Sequence, residues 1–185
     1  ATAGQTFTLT TGTNNFTGTS GDDSFDAGLN TSSQQTLNSG DRLDGGAGTD
    51  SLIATINATV TPASLTDIED VTVTVVSNSA ALDFTNAKGL STVTSQASTG
   101  AGNIVTLSGQ SKSVNVSIKD TSMAHTITFN DVTGSADSVT VNVSNLSQAT
   151  GIVTSILGVE TLTLNAIGSA SSNTTAGTGI GTLTA

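Results

Sequence analysis

The chain of 185 residues carries 14 acidic residues against four Lys+Arg, a formal net charge of -10, with only 3% aromatic residues and no Cys. Four cations cannot form the basic stripe that nucleic-acid binding needs. The lack of Cys excludes disulfides and thiolate metal sites, the single histidine excludes a histidine-built zinc site, and no apolar run approaches the roughly 20 residues of a membrane-spanning helix.

Abundant Val, Ile and Thr argue against disorder. Period-two alternation opens at Phe7-Thr8-Leu9 and returns at Val71–Val75, Val114–Ile118, Ile127–Phe129, Val139–Val143 and Leu162–Leu164. Apolar β-branched residues alternating with Thr, Ser or Asn mark half-buried strands, and Gly, Asn, Asp and Ser fill the intervals where turns belong. Two short helical readings interrupt the series: one turn over Ala63–Asp67, behind Pro62, and a short helix over Leu146–Leu157, from the spacing of Leu146, Ala149, Ile152, Val153 and Ile156. The stretch Gly168–Ala185 reads either as flexible or as ending in a strand at Thr182–Ala185.

Strands recurring at short intervals imply stacked coils, an all-β solenoid with parallel β-roll-like turns. The internal echo between Leu65–Val73 and Ile156–Leu164 points the same way. Composition divides the chain into residues 1–55, rich in Gly and Asp, and residues 56–185, a strand ladder of sparse charge, read together as one continuous domain. Ala1–Gly4 shows no charged segment leading into an apolar one, so no cleavable signal peptide is visible there: either it has been removed, or export uses another signal, or the sequence is a fragment of a longer protein.

The densest chemistry lies between Asp22 and Asp50. Gly45–Ile53 fits the nonapeptide G-G-x-G-x-D-x-U-x at every defined position, with Asp50 sixth and Leu52 eighth. Thr36–Asp44 keeps Asp41 and Leu43 in the same phase, and Gly18–Asp26 keeps Gly18, Gly21, Asp23 and Phe25. Ala27–Gln35 breaks the pattern and reads as an insertion. Such units pair a glycine-rich loop that turns its carbonyls inward with a carboxylate at position six. Calcium takes six to eight oxygens in a tolerant geometry. The expected ligands are therefore Asp23, Asp41 and Asp50, helped by Asp22, Asp26 and Asp44, with carbonyls from Gly21, Gly46 and Gly48. The loops Gly18–Asp23 and Thr36–Asp41 are expected to share an ion. Asp67, Glu69, Asp70 and Glu160 are expected to be solvated or turn residues, and Asp83, Asp120, Asp131 and Asp137 to form Asx-turns.

The segments Phe7–Thr10, Gly18–Phe25 and Leu37–Asp50 resemble the repeat of RTX-type calcium-binding bacterial surface proteins. Gly158–Leu164 is similar to segments of S-layer proteins and large secreted adhesins of that group. The resemblance implies a calcium-stabilised β-solenoid outside a Gram-negative cell. Its function would be structural: a surface layer or filament made of copies of this chain, with cell-surface polysaccharide as a further candidate partner. The alternative is a module that calcium stiffens within a large adhesin. A polysaccharide-acting enzyme ranks last. His125 is the only histidine and is expected at a surface or strand edge. A triad drawn from Ser122, His125 and Asp120 or Asp131 is not expected, because strand-local neighbours rarely give the required geometry. No G-x-S-x-G elbow occurs, and Gly100–Gly102 is followed by no phosphate-loop Lys-Ser/Thr.

Overall fold

A computed structural model describes residues 2–76, 79–99, 104–110, 114–121, 123–129, 138–146, 152–157, 161–167 and 180–184. The first coils carry strands β1 (Thr6–Thr8), β2 (Asn15–Thr17), β3 (Ser24–Ala27), β4 (Arg42–Asp44), β5 (Ser51–Ile56) and β6 (Ser64–Thr66). A central coil carries β7 (Asp70–Val75), β8 (Ala80–Asp83) and β9 (Ala87–Lys88). The later coils carry β10 (Thr92–Gln96), β11 (Ile104–Gln110), β12 (Asn115–Lys119), β13 (Ala124–Phe129), β14 (Ser138–Ser144), β15 (Ile152–Leu157), β16 (Thr161–Ile167) and β17 (Ile180–Thr184).

All pairings are parallel, and together they make a β-solenoid. One sheet runs its whole length in the order β1-β3-β5-β7-β10-β12-β14-β16. Opposite it, a four-stranded sheet β2-β4-β6-β9 serves the early coils and a five-stranded sheet β8-β11-β13-β15-β17 the later ones. The coil β7-β8-β9 contributes a strand to each sheet and is where the second face changes hands.

Alternation sets the register, because a one-residue slip would turn every Val outward. On the long sheet one inward row stacks Phe25, Leu52, Val71, Val93, Val116 and Val141, all buried. The outward row beside it stacks Thr72, Thr94, Ser117, Asn142 and Asn165, with Asn165 Nδ2 donating to Asn142 Oδ1 at 3.1 Å. With few aromatics, the core is filled by repetition of mid-sized aliphatics, each packed on its copy one coil away.

Both helical expectations are overturned, and the described residues contain no helix. Ser64–Thr66 is β6, with Leu65 buried and paired to Leu43. Ile152–Leu157 is β15, between β13 and β17, while residues 147–151 lie outside the described set. Coil stacking supplies ladder partners to both segments, and that tertiary pairing overrides a marginal helical period. The final strand falls at Ile180–Thr184. Strands β2, β8, β9, β10 and β11 fall outside the alternating runs and repeat units read from the sequence.

Candidate metal centre

The nonapeptide phase begins earlier than the motif alone reveals. Phe7, Phe16 and Phe25 occupy successive eighth positions, and Gln5, Asn14 and Asp23 successive sixth positions. Phe7 stacks on Phe25 at 5.1 Å between ring centroids and lies 5.5 Å from Phe16. Two units therefore make the first coil: Thr6 pairs with Ser24, 18 residues on. The next coil takes 27 residues, Ser24 pairing with Ser51. The surplus unit is the long connection between β3 and β4. It folds on itself through Asn30, whose Oδ1 accepts from Ser32 N and Gln34 N, both at 2.9 Å. Ala27 is still a buried strand residue, so the insertion starts just after it.

This parity change corrects the expected sharing of loops. Gly18–Asp23 leads into β3 of the long sheet, and Thr36–Asp41 leads into β4 of the opposite one. The neighbour of Gly18–Asp23 is Gly45–Asp50, three nonapeptides away rather than two. The stacking is close. A Cβ on Gly18 would lie 2.1 Å from Gly45 O, and one on Gly45 would lie 1.9 Å from Asp67 O and 2.4 Å from Asp50 Oδ2. Gly46 takes φ +91°, a region that L side chains resist, directly against Thr19 O.

The position-six residues clasp each coil to its neighbour. Asp23 Oδ1 accepts from Gln5 N at 2.6 Å, and its Oδ2 accepts from Thr19 N. Asp50 Oδ1 accepts from Asp23 N at 2.6 Å, and Glu69 Oε2 accepts from Asp50 N at 2.8 Å. Asp22 Oδ1 accepts from Thr49 N at 2.8 Å. The result is a file of backbone donors and carboxylates along one edge of the solenoid. Carboxylates accepting backbone N–H bonds are held in the charged form. The Thr19 N–H does most to lower the pKa of Asp23, against the opposing effect of burial, with Gln5 N–H and the Thr19 hydroxyl assisting.

Asp50 behaves in the opposite way. Burial raises its pKa, the Asp23 N–H lowers it, and the facing charges of Asp23, Glu69 and Asp22 raise it further. Asp50 is fully buried, and its Oδ2 has no hydrogen-bond partner. A buried carboxylate oxygen without a donor, among other carboxylates, is a costly arrangement unless a cation completes it.

The structure thus brings Asp22, Asp23 and Asp50 together with Gly21, Gly46 and Gly48, since Gly46 packs on Thr19 O and Gly48 on Gly21 O and Asp22 Oδ1. Asp44 stands at the entrance of the loop, its Oδ1 accepting from Gly46 N at 3.1 Å. Asp26 lies away from this corner, on the exposed face of β3, accepting from Gly28 N at 3.0 Å. Asp41 clasps the opposite edge: its Oδ1 accepts from Asn14 N at 2.7 Å and its Oδ2 from Asn38 N at 2.7 Å. Glu69, expected to be a solvated or turn residue, belongs to the acidic file through the Asp50 N–H it accepts. Its relation to Asp50, one 19-residue coil away, falls outside the nonapeptide period. Among the described residues, no group of three or more His, Cys, Asp and Glu side chains converges as a ready metal cage. Any ion here would lean on loop carbonyls as well as on carboxylates.

Asp83 forms the expected Asx-turn, accepting from Thr85 N at 2.9 Å. Asp120 instead adopts φ +52° and accepts from Asn145 Nδ2 at 2.9 Å. Ser122, Asp131, Asp137, Glu160 and Gly100–Gly102 lie outside the described residues. His125 is neither at the surface nor at an edge. It is buried in an inward position of β13, with Nε2 2.8 Å from Ser95 Oγ across the core.

No family model matches the chain, and no curated protein matches it either.

Proposed function

We propose that the chain is a calcium-stabilised extracellular structural protein, built on the RTX plan, that assembles with copies of itself into a surface layer or filament. The observation that carries this reading is the buried, unpartnered Asp50 Oδ2 in a corner shared with Asp22, Asp23 and Glu69. Calcium suits the corner because it accepts mixed carboxylate and carbonyl oxygens without strict geometry. Asp50 and Asp23 would hold it, with Asp22, Asp44 and the carbonyls of the stacked glycine loops around them. The ion would supply charge neutralisation between coils, where the protein now places carboxylate beside carboxylate.

One further feature supports assembly. The outward rows of the long sheet are mostly uncharged Thr, Ser and Asn, which suits close lateral packing. The reading is non-catalytic: His125 and Ser95 are sealed in the core, 1% and 0% exposed.

Electron microscopy of the purified chain, first with EGTA and then with excess calcium, tests assembly. Ordered sheets or fibres with calcium support the reading. Dispersed particles in both conditions would overturn self-assembly and favour the adhesin module, with glycan binding as the next assay.

A further inference from the structure

The two edges of the early coils are built from the same nonapeptide phase but are neutralised differently. At the second edge, the turn after β1 meets the segment that leads into β4. Backbone carbonyls of Thr10, Thr11, Gly12 and Thr36 gather there around one atom, Asn38 Nδ2, at 3.5, 3.2, 3.3 and 2.9 Å. A second amide stands beside it. Asn14 Nδ2 donates to Thr10 O at 3.1 Å, to Gly12 O at 2.9 Å and to Asp41 Oδ1 at 3.1 Å.

The orientation of both amides follows from their neighbours. Carbonyl oxygens only accept, so an amide oxygen turned toward them would meet like partial charge. Asn14 Oδ1 is in any case occupied on its other side, accepting from Thr10 N at 3.2 Å and Thr10 Oγ1 at 3.1 Å. Four backbone carbonyls and one carboxylate oxygen thus surround two NH2 groups. A crown of carbonyls around one carboxylate is the surrounding that a hard cation takes, and here neutral donors already fill it.

We infer that the side-chain amides of Asn38 and Asn14 stand in for a cation at this edge, so that the Asp41 corner holds its coils together without calcium while the Asp50 corner depends on it. The inference rests on the proposed calcium reading for its second half only. The amide crown stands on its own geometry. The contrast between the corners is direct: at Asp50 a buried carboxylate oxygen lacks any donor, whereas Asp41 uses both oxygens, on Asn14 and Asn38. Asn38 and Asn14 are therefore the residues that determine which edge of the roll responds to the metal.

Asn38→Asp tests this. It removes the donor, turns a carboxylate toward the carbonyls and adds an oxygen ligand beside Asp41. In EGTA the variant should melt about 5 °C or more below wild type. Calcium should restore it, and titration calorimetry should count one more ion per chain than in wild type. An unchanged melting temperature in EGTA, or an unchanged ion count, overturns the inference. If Asn38→Asp does not fold in EGTA, Asn38→Ala empties the crown without adding charge. Its loss in EGTA should then be recovered by calcium to a greater extent than any calcium gain of wild type, and a recovery no larger than wild type's overturns the inference. A wild type indifferent to calcium would end the reading of the Asp50 corner, while the Asn38 variants would still decide the crown.

Discussion

Gly45→Ala is a perturbation whose cost can be worked from the coil spacing. The added methyl would sit 1.9 Å from Asp67 O, 2.4 Å from Asp50 Oδ2 and 2.7 Å from Asp50 Cβ. Ordinary carbon–oxygen contact needs well over 3 Å, and the nearest obstacle is backbone, which cannot rotate aside as a side chain can. The stacked loops must therefore part by about an ångström, loosening the Asp23–Asp50 clasp. Overpacking of this kind costs about 1–3 kcal/mol. For a chain of this size that lowers the melting temperature by about 2–4 °C per kcal/mol. Gly12→Ala is the matched control, because its methyl meets nothing closer than Thr10 Oγ1 at 3.7 Å. The control should be neutral or slightly stabilising, since alanine restricts the unfolded chain by about 0.4–1 kcal/mol. Thermal melts followed by circular dichroism in EGTA compare the pair free of metal effects. Equal melting temperatures for the two variants would refute the stacked-loop geometry.

Three further predictions follow from the core and the corner. Burial lowers the pKa of His125 from 6.5 to about 4, its bond to Met123 O opposing weakly. The unfolded chain then takes up a proton below about pH 6.5 that the folded chain refuses until about pH 4. Stability from this group is complete above pH 6.5, declines as the pH falls to about 4 and levels off below, a total loss of about 3 kcal/mol. Asp50 runs the other way, because a raised carboxyl pKa favours the folded state as the pH falls. Urea midpoints of wild type and His125→Gln at pH 7 and 4.5 separate the two effects, and equal pH dependence would rule the histidine out. Phe25→Ala should cost about 3–5 kcal/mol, since the ring is fully buried and stacked on Phe7; denaturant unfolding measures the loss, and under 1 kcal/mol would contradict the packing. Asp50→Asn should be at least as stable as wild type in EGTA, because it keeps an oxygen for the Asp23 N–H and removes a buried charge. A lower melting temperature in EGTA would contradict the orphaned-oxygen argument.

The sequence revealed the solenoid but hid parts of its path. Val71–Val75 and Val139–Val143 alternate cleanly, because both strands pack one face on the core and leave Thr or Asn outside. Ala80–Asp83 carries no such signature, since two alanines and a leucine mark neither period. Ile152–Leu157 mixed both periods, and only its position between two ladder strands decided the matter. At the corner, the nine-residue spacing of Asp41 and Asp50 was plain. Which loops adjoin depends instead on how many units close a coil, and the surplus unit after Ala27 changed that count. Glu69 was hidden because it arrives from a coil without nonapeptides. The Ser95–His125 bond was invisible, because it joins inward positions on opposite sheets 30 residues apart.

Scanning calorimetry of wild type and Asp50→Asn, each in EGTA and in excess calcium, decides whether calcium holds the Asp50 corner together. An ion bound at about a hundred times its dissociation constant stabilises by about 2.7 kcal/mol, or a melting shift of about 5–10 °C for this chain length. Wild type should show that shift and Asp50→Asn should lose it. A wild-type melting temperature that calcium leaves unchanged, or an equal shift in both proteins, would contradict a calcium-held corner.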